Sequence, residues 1–238
     1  MWKLSEAELR EFGIHGYVVI RDVIPPPILA AASGAIERVV DEQPPPEGHV
    51  GHHFYWLSSP DGGPLPALFY DTPLRSLAQS LVSPGEIEIA FDQLQVALNI
   101  PPFSHRPGAH HLDGYQEGHQ VPATFTMLAG VLMTEQKVEN AGNLWVWPGT
   151  HRTHAAFFRE RGPEALVESK GYPKIALPEP SQVLGGPGDV ILAHYMLGHN
   201  IGGNYASERV RQAVYFRLRR EGHQHRWREC LCDELLEY

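Results

Sequence analysis

From position 86 onward the chain consists of short β-branched and apolar runs cut apart by proline and glycine. The runs are 86–100, 125–134, 143–147, 189–193 and 209–218, and between them stand Pro101-Pro102, Pro148-Gly149 and Gly185-Gly186-Pro187-Gly188. Proline has no amide proton to give to a strand ladder, and glycine adopts backbone angles that other residues avoid, so such pairs end strands and reverse the chain. Several short strands with no helical period between them predict a mainly β core, a sandwich or a barrel. Residues 154–170 interrupt the pattern and predict a helix or lid inserted between strands. No internal repeat is present.

The first third reads differently. Ser5-Glu6-Ala7-Glu8 is a capping box that opens a helix through about Phe12. Gly16 breaks to Tyr17-Val18-Val19-Ile20, a strand, and Pro25-Pro26-Pro27 leads into a second helix over about 28–41. Residues 43–66 are rich in Pro and Gly around His52-His53-Phe54-Tyr55-Trp56, which predicts a loop or lid whose aromatic residues contact substrate. A third helix is expected over 73–81.

A net charge of -9 with no Lys/Arg cluster excludes a nucleic-acid surface. The late basic run Arg217, Arg219, Arg220, Arg226 and Arg228 is interleaved with Glu221 and Glu229 and reads as a solvated face. No apolar run is long enough to cross a bilayer, and the residues from Met1 to Glu6 lack the apolar core of a secretory signal. Cys230 and Cys232 are too close for an ordinary bridge and too few for zinc, so free thiols in a reducing cytoplasm are expected. The expected partner is a small molecule, with neither membrane nor nucleic acid; the oligomeric state is not legible.

Fourteen histidines prompt a search for metal ligands. His111-Leu112-Asp113 sets a nitrogen and an oxygen donor two residues apart, and on extended chain both point to one side. That is two thirds of the facial triad that holds non-haem Fe(II). Further on, a turn and strand end at His194, and His199 follows before a Gly/Asn turn and a strand carrying Arg209 and Arg211. An imidazole and a guanidinium offered to one cavity suit a metal-chelating dicarboxylate, with iron taking the keto-acid end and arginine the far carboxylate.

These residues carry a family resemblance. The chain resembles the phytanoyl-CoA dioxygenase family of Fe(II)/2-oxoglutarate oxygenases over most of its length. The early strand Gly16 to Ile24, the run Gly142-Asn143-Leu144-Trp145-Val146-Trp147-Pro148-Gly149-Thr150-His151, and the order His-x-Asp, distal His, Arg all follow that pattern. The resemblance implies a double-stranded β-helix, a cupin-like jelly-roll barrel with flanking helices, forming one domain with N-terminal helices and lid over about 1–85 and core over about 86–220. It implies His111, Asp113 and His199 as iron ligands, with His194 a packing residue. Arg211, ahead of Arg209, would bind 2-oxoglutarate, and Gln95 and Asn99 resemble a pair that contacts this co-substrate. Many relatives place Ser or Thr two residues after the distal histidine. Ile201 stands there in this chain, so either Thr126 or Tyr215 is expected to replace that hydrogen bond or nothing does.

The implied reaction consumes O2 and 2-oxoglutarate. Halogenating relatives lack the carboxylate ligand, so Asp113 points to hydroxylation, desaturation or oxidative ring closure. With no basic patch for a coenzyme A phosphate, a small polar natural product is expected as substrate, lined by Tyr55, Tyr115, Gln116 and His119. The His-His-Leu-Asp-Gly context resembles small oxygenases that close orthoester or methylenedioxy rings in oligosaccharide antibiotics. The alternatives are a cupin-type metal enzyme that makes no use of 2-oxoglutarate, and a non-catalytic barrel that binds a ligand.

Overall fold

The computed structural model describes residues 2–58 and 62–238. Helix α1 (Glu6–His15) starts from the expected capping box: Glu8 N donates to Ser5 Oγ, and Ser5 N donates to the Glu8 carboxylate. It runs three residues past Phe12 and ends at Gly16, which takes the left-handed φ of 80° that a side chain would resist. Strand β1 (Tyr17–Ile20) follows, then α2 (Pro26–Glu42), begun by the proline run because a first-turn proline forfeits no helix bond.

The stretch expected as a lid is a strand. β2 (Gly51–Ser58) pairs antiparallel with β3 (Ile87–Ile100) from Gly51 opposite Ile100 to Ser58 opposite Gln93. Flanking Pro and Gly masked a two-residue alternation, in which Tyr55 packs in the core while Phe54 and Trp56 are exposed. Positions 59–61 of that stretch lie outside the described residues. Two short helices, α3 (Pro64–Tyr70) and α4 (Pro73–Leu81), return the chain to β3.

Beyond β3 come β4 (Met127–Leu132), β5 (Leu144–Val146), α5 (Thr150–Arg161), α6 (Ala165–Glu168), β6 (Ser181–Gln182), β7 (Val190–His194), β8 (His199–Ile201), β9 (Arg211–Arg220) and α7 (His223–Cys232). The large sheet has the order β1-β7-β4-β9-β3-β2, and the small one β6-β5-β8, with every ladder antiparallel. This is the expected jelly roll, mainly β with flanking helices; its sheets stand as two separate ladders and do not close into one barrel. A register shift between Ile89 and Leu94 bends β3, with Phe91 at φ 63° and Asp92 at φ 47°.

Strand parity divides the core. Val214, Phe216 and Leu218 of β9 pack with Ile36, Leu68, Phe69 and Leu74 of the helices. Ala213 and Tyr215 turn the other way, towards Leu144 and Val146 of the small sheet. Each fully buried Leu or Phe contributes about 1.5–3 kcal/mol, so the helical layer clamps the outer face of the large sheet and leaves the inner face for chemistry.

Candidate metal centre

The inner face opens at one end on three donors. His111 and His199 form an isolated antiparallel bridge: His111 N donates to His199 O at 3.1 Å and His199 N to His111 O at 3.4 Å. Asp113 Oδ1 lies 3.3 Å from His111 Nε2 and 3.7 Å from His199 Nε2. One ligand atom from each residue falls within 4.8 Å of the others. His199 Nδ1 lies 3.0 Å from Leu197 O, a bond that fixes the tautomer with Nε2 free for a metal.

The motif around Pro148 holds this histidine in place. Thr150 Oγ1 donates to Trp147 O and accepts from Gly198 N, while Trp147 N donates to Gly198 O. His154, from the same turn, bonds Met196 O through Nδ1. The glycine opening the motif is equally constrained: Gly142 has φ 80°, and a Cβ there would meet Arg211 Cβ at 2.9 Å and Asn99 Cβ at 3.1 Å.

Arg217 corrects the reading of the basic run as a solvated face. Its Nη2 donates to Asp113 Oδ2 at 2.6 Å, its side chain is only 15% exposed, and its guanidinium lies 4.5 Å from the Trp56 ring centroid. The rest of the run does lie outside, with Arg219 on Glu88, Arg226 on Glu229 and Arg228 on Glu164. Burial alone would raise the Asp113 carboxyl, but the Arg217 guanidinium, with the His111 and His199 rings close by, holds it well below its usual range. Burial, then the neighbouring His199, lowers His111, so both groups keep the protonation state a metal needs.

Two positions along β9 on the same face stand Tyr215 and then, four positions further, Arg211. Arg211 is 1% exposed, opposite Asn99 in the β3–β9 ladder. Its Nη2 donates to Tyr215 Oη at 2.5 Å and its Nε to Gln136 Oε1 at 3.1 Å. Arg211 Nη1 and Gln136 Nε2 are buried donors with no protein partner. Arg209, the competing arginine, is exposed ahead of the strand. Thr126 is spent on Glu237 and the Arg220 amide, outside the cleft, whereas Tyr215 lines it. Gln95 also lines the cleft; Asn99 is fully buried and donates to Gly202 O.

Two cavities share His111 and Asp113. The inner one, of about 290 Å³, is lined by His52, Gln95, Leu144, His199, Ile201 and Tyr215, and the outer one, of about 590 Å³, by Trp56, Phe91, Tyr115, Gln116, Lys170 and Tyr172. His111, Asp113, Trp56, Tyr172 and Arg217 border both. Tyr55, expected as a substrate contact, is instead 5% exposed in the core, with its hydroxyl on Gln43 O, because its parity on β2 is opposite to that of Trp56. His119 is exposed in a turn and belongs to neither lining.

The remaining histidines lie outside the cleft. His194, the alternative distal ligand, is buried with Nε2 on Glu234 O and Nδ1 accepting from Met196 N. His110 Nε2 meets His154 Nε2 at 2.8 Å. A second cluster, His223, Cys230 and Glu237, is satisfied from within: Glu237 bonds His223 Nδ1 and Thr126, and His223 Nε2 meets Thr124. Sequence reading missed Arg217, Phe91, Lys170 and Tyr172. Strand parity counted outward from Arg211 would have found the first.

Residues 12–213 match the family model described as phytanoyl-CoA dioxygenase (PhyH). Among solved structures, the chain resembles the non-heme alpha-ketoglutarate-dependent carbocyclase SnoK from nogalamycin biosynthesis, at 18% identity and TM-score 0.61, covering 90% of this chain and 83% of that one. It resembles HygX from Streptomyces hygroscopicus, solved with nickel, 2-oxoglutarate and hygromycin B, at 18% identity and TM-score 0.63, covering 92% and 88%. The epimerase SnoN of nogalamycin biosynthesis stands at 16% identity and TM-score 0.63, covering 90% and 81%. None of the curated proteins compared matches this sequence. Among the described residues no helix is long and apolar enough to cross a membrane.

Proposed function

The chain belongs to the phytanoyl-CoA dioxygenase family of Fe(II)- and 2-oxoglutarate-dependent oxygenases, and from that premise we propose that it hydroxylates or oxidatively cyclises a small ring-bearing natural product. Closure of an orthoester or methylenedioxy ring on a sugar-containing antibiotic intermediate is the reaction we favour. HygX, solved with hygromycin B, and SnoK and SnoN, both from nogalamycin biosynthesis, lend support to that choice.

The observation that carries the reading is the pairing of an open N2O donor set with a buried arginine whose Nη1 has no protein partner. His111, Asp113 and His199 would hold one face of Fe(II) and leave the other to exogenous ligands. Arg217 occupies Asp113 Oδ2, so Oδ1 alone is directed at the ion. Arg211 Nη1 and Gln136 Nε2 are donors suited to the far carboxylate of 2-oxoglutarate, with the Tyr215 hydroxyl beside them in the role that Ile201 cannot fill. Bound iron would supply the oxidising power, reducing O2 as the oxo acid is decarboxylated to succinate. The protein's share is to hold both ligands in register and to keep water from the inner cavity, walled by Leu128, Leu144 and Ile201.

The test is an anaerobic titration of the Fe(II) protein with 2-oxoglutarate, followed by succinate release in air. A visible band on chelation and 2-oxoglutarate-dependent succinate are expected. A metal enzyme of the same fold that ignores 2-oxoglutarate would give neither, and would have no use for Arg211.

A further inference from the structure

The lining of the outer cavity carries an unbalanced charge. This chain has 28 acidic and 19 basic residues, yet among the described residues bordering the two cavities Asp113 is the one carboxylate. Against it stand Arg217 and Lys170 in the outer cavity and Arg211 behind Tyr215. A divalent ion and a doubly charged oxo acid would cancel each other, which leaves three cations facing a single carboxylate. In an acidic protein, basic groups gathered at one cleft are the arrangement that attracts an anion.

Arg217 is fixed through its side chain and Lys170 through its backbone. Arg217 is oriented by Asp113 on one side and by the Trp56 face on the other. Lys170 sits at a left-handed φ of 55°, and the next residue, Gly171, accepts a hydrogen bond from Leu112 N at 2.8 Å, between the two metal-site residues His111 and Asp113. Around them Trp56, Phe91 and Tyr172 are 48%, 42% and 55% exposed, a cluster of aromatic faces at a cavity mouth that costs solubility unless a ligand covers it.

We propose that the outer cavity takes a substrate bearing an anionic group, bound by Arg217 and Lys170, on a ring-shaped body laid against Trp56, Phe91 and Tyr172. This rests on the oxygenase reading above and deepens it. It makes Arg217 a shared group, since the same guanidinium fixes the metal carboxylate and receives the substrate anion. A positively charged substrate is disfavoured by the same lining.

The test uses the full chain loaded with Zn(II) and 2-oxoglutarate, which cannot turn over, and three probes sharing one ring system, followed by ligand-observed NMR: naphthalene-2-carboxylate, its near-isosteric primary amide, and naphthalen-2-yl phosphate. The carboxylate or the phosphate is expected to bind at least tenfold more tightly than the amide, and whichever wins names the anion. Lys170→Gln is expected to cut that preference at least threefold and Arg217→Gln to remove it. Because Lys170 touches no metal ligand, its variant decides the matter even if Arg217→Gln fails to load metal. Equal binding of amide and anions, no binding of any probe at millimolar concentration, or a preference untouched by Lys170→Gln would each overturn the proposal. Titration of 2-oxoglutarate into the unmodified protein is the separate control. Its failure overturns the oxygenase reading, whereas a loaded protein indifferent to probe charge overturns only this one.

Discussion

His111 and His199 face each other across an isolated antiparallel bridge, with ring centroids 4.5 Å apart. Their backbones bond each other, so the two imidazoles are set side by side before any ion arrives. The carboxylate has no such backbone tie to either of them. Asp113→Ala should therefore leave the bridge intact while lowering Fe(II) affinity by more than about 100-fold, read by metal titration under argon. Unchanged affinity would remove these three residues as the metal site.

The buried guanidinium beneath Tyr215 gives the second expectation. Arg211→Gln should weaken 2-oxoglutarate by about 100-fold, the scale of losing one partner of a buried charge pair. Tyr215→Phe should cost about tenfold, the scale of one hydrogen bond to a charged group. Neither should alter binding of 2-oxobutyrate, which lacks the far carboxylate. Equal losses for both acids would place these residues elsewhere in the mechanism.

Thr150 tests the turn. Thr150→Val keeps shape but strands Gly198 N without its hydroxyl acceptor, which costs about 1–3 kcal/mol of stability by the usual penalty for a buried unpaired group. Since Gly198 precedes His199, iron affinity should also fall, by up to about tenfold, with all three ligands present. Chemical unfolding and metal titration on one sample separate the two effects.

Acid should weaken the fold through histidines that touch no metal. Burial, then the neighbouring His110, lowers His154 to about 3; burial, then His151, lowers His194 to about 3. In the unfolded chain both titrate near 6.5, so below that pH the unfolded state binds protons that the native state refuses. Stability is thus full above about pH 6.5 and falls as pH drops towards 3, by about 1 kcal/mol per histidine at pH 5.5. Urea midpoints of metal-free protein at pH 7.5 and 5.5 measure it, and equal midpoints would contradict the assignment.

How much of this was legible in sequence followed from the length over which a pattern repeats. The capping box at Ser5, the β1 run and the long strands β3 and β9 declared themselves because several residues agreed on one period. Strands β6 and β8 have two and three residues, too few for any period, and they form because β5 offers a ladder between them. His111, Asp113 and His199 stood out through spacing and order. Arg217 did not, since a basic run broken by Glu221 and Glu229 reads the same whether the strand lies at a surface or at a cavity mouth. Only its parity with Arg211 and Tyr215 separates the cases. Tyr55 was misplaced for the same reason: one residue along β2 exchanges the cleft for the core.

β2 is an edge strand, bonded to β3 alone, and it contributes His52, Phe54 and Trp56 to the cleft without supplying any of the three metal-site residues. Those donors, and the turn that holds His199, belong to other segments. The donor set and most of the cleft wall therefore sit on separate pieces of chain, with Arg217 and the Trp56 ring as the joint between them. Of the β2 residues that face the cleft, Trp56 alone is tied to the donors, through Arg217, so exchanges at His52 and Phe54 would reshape the pocket without touching any of the three.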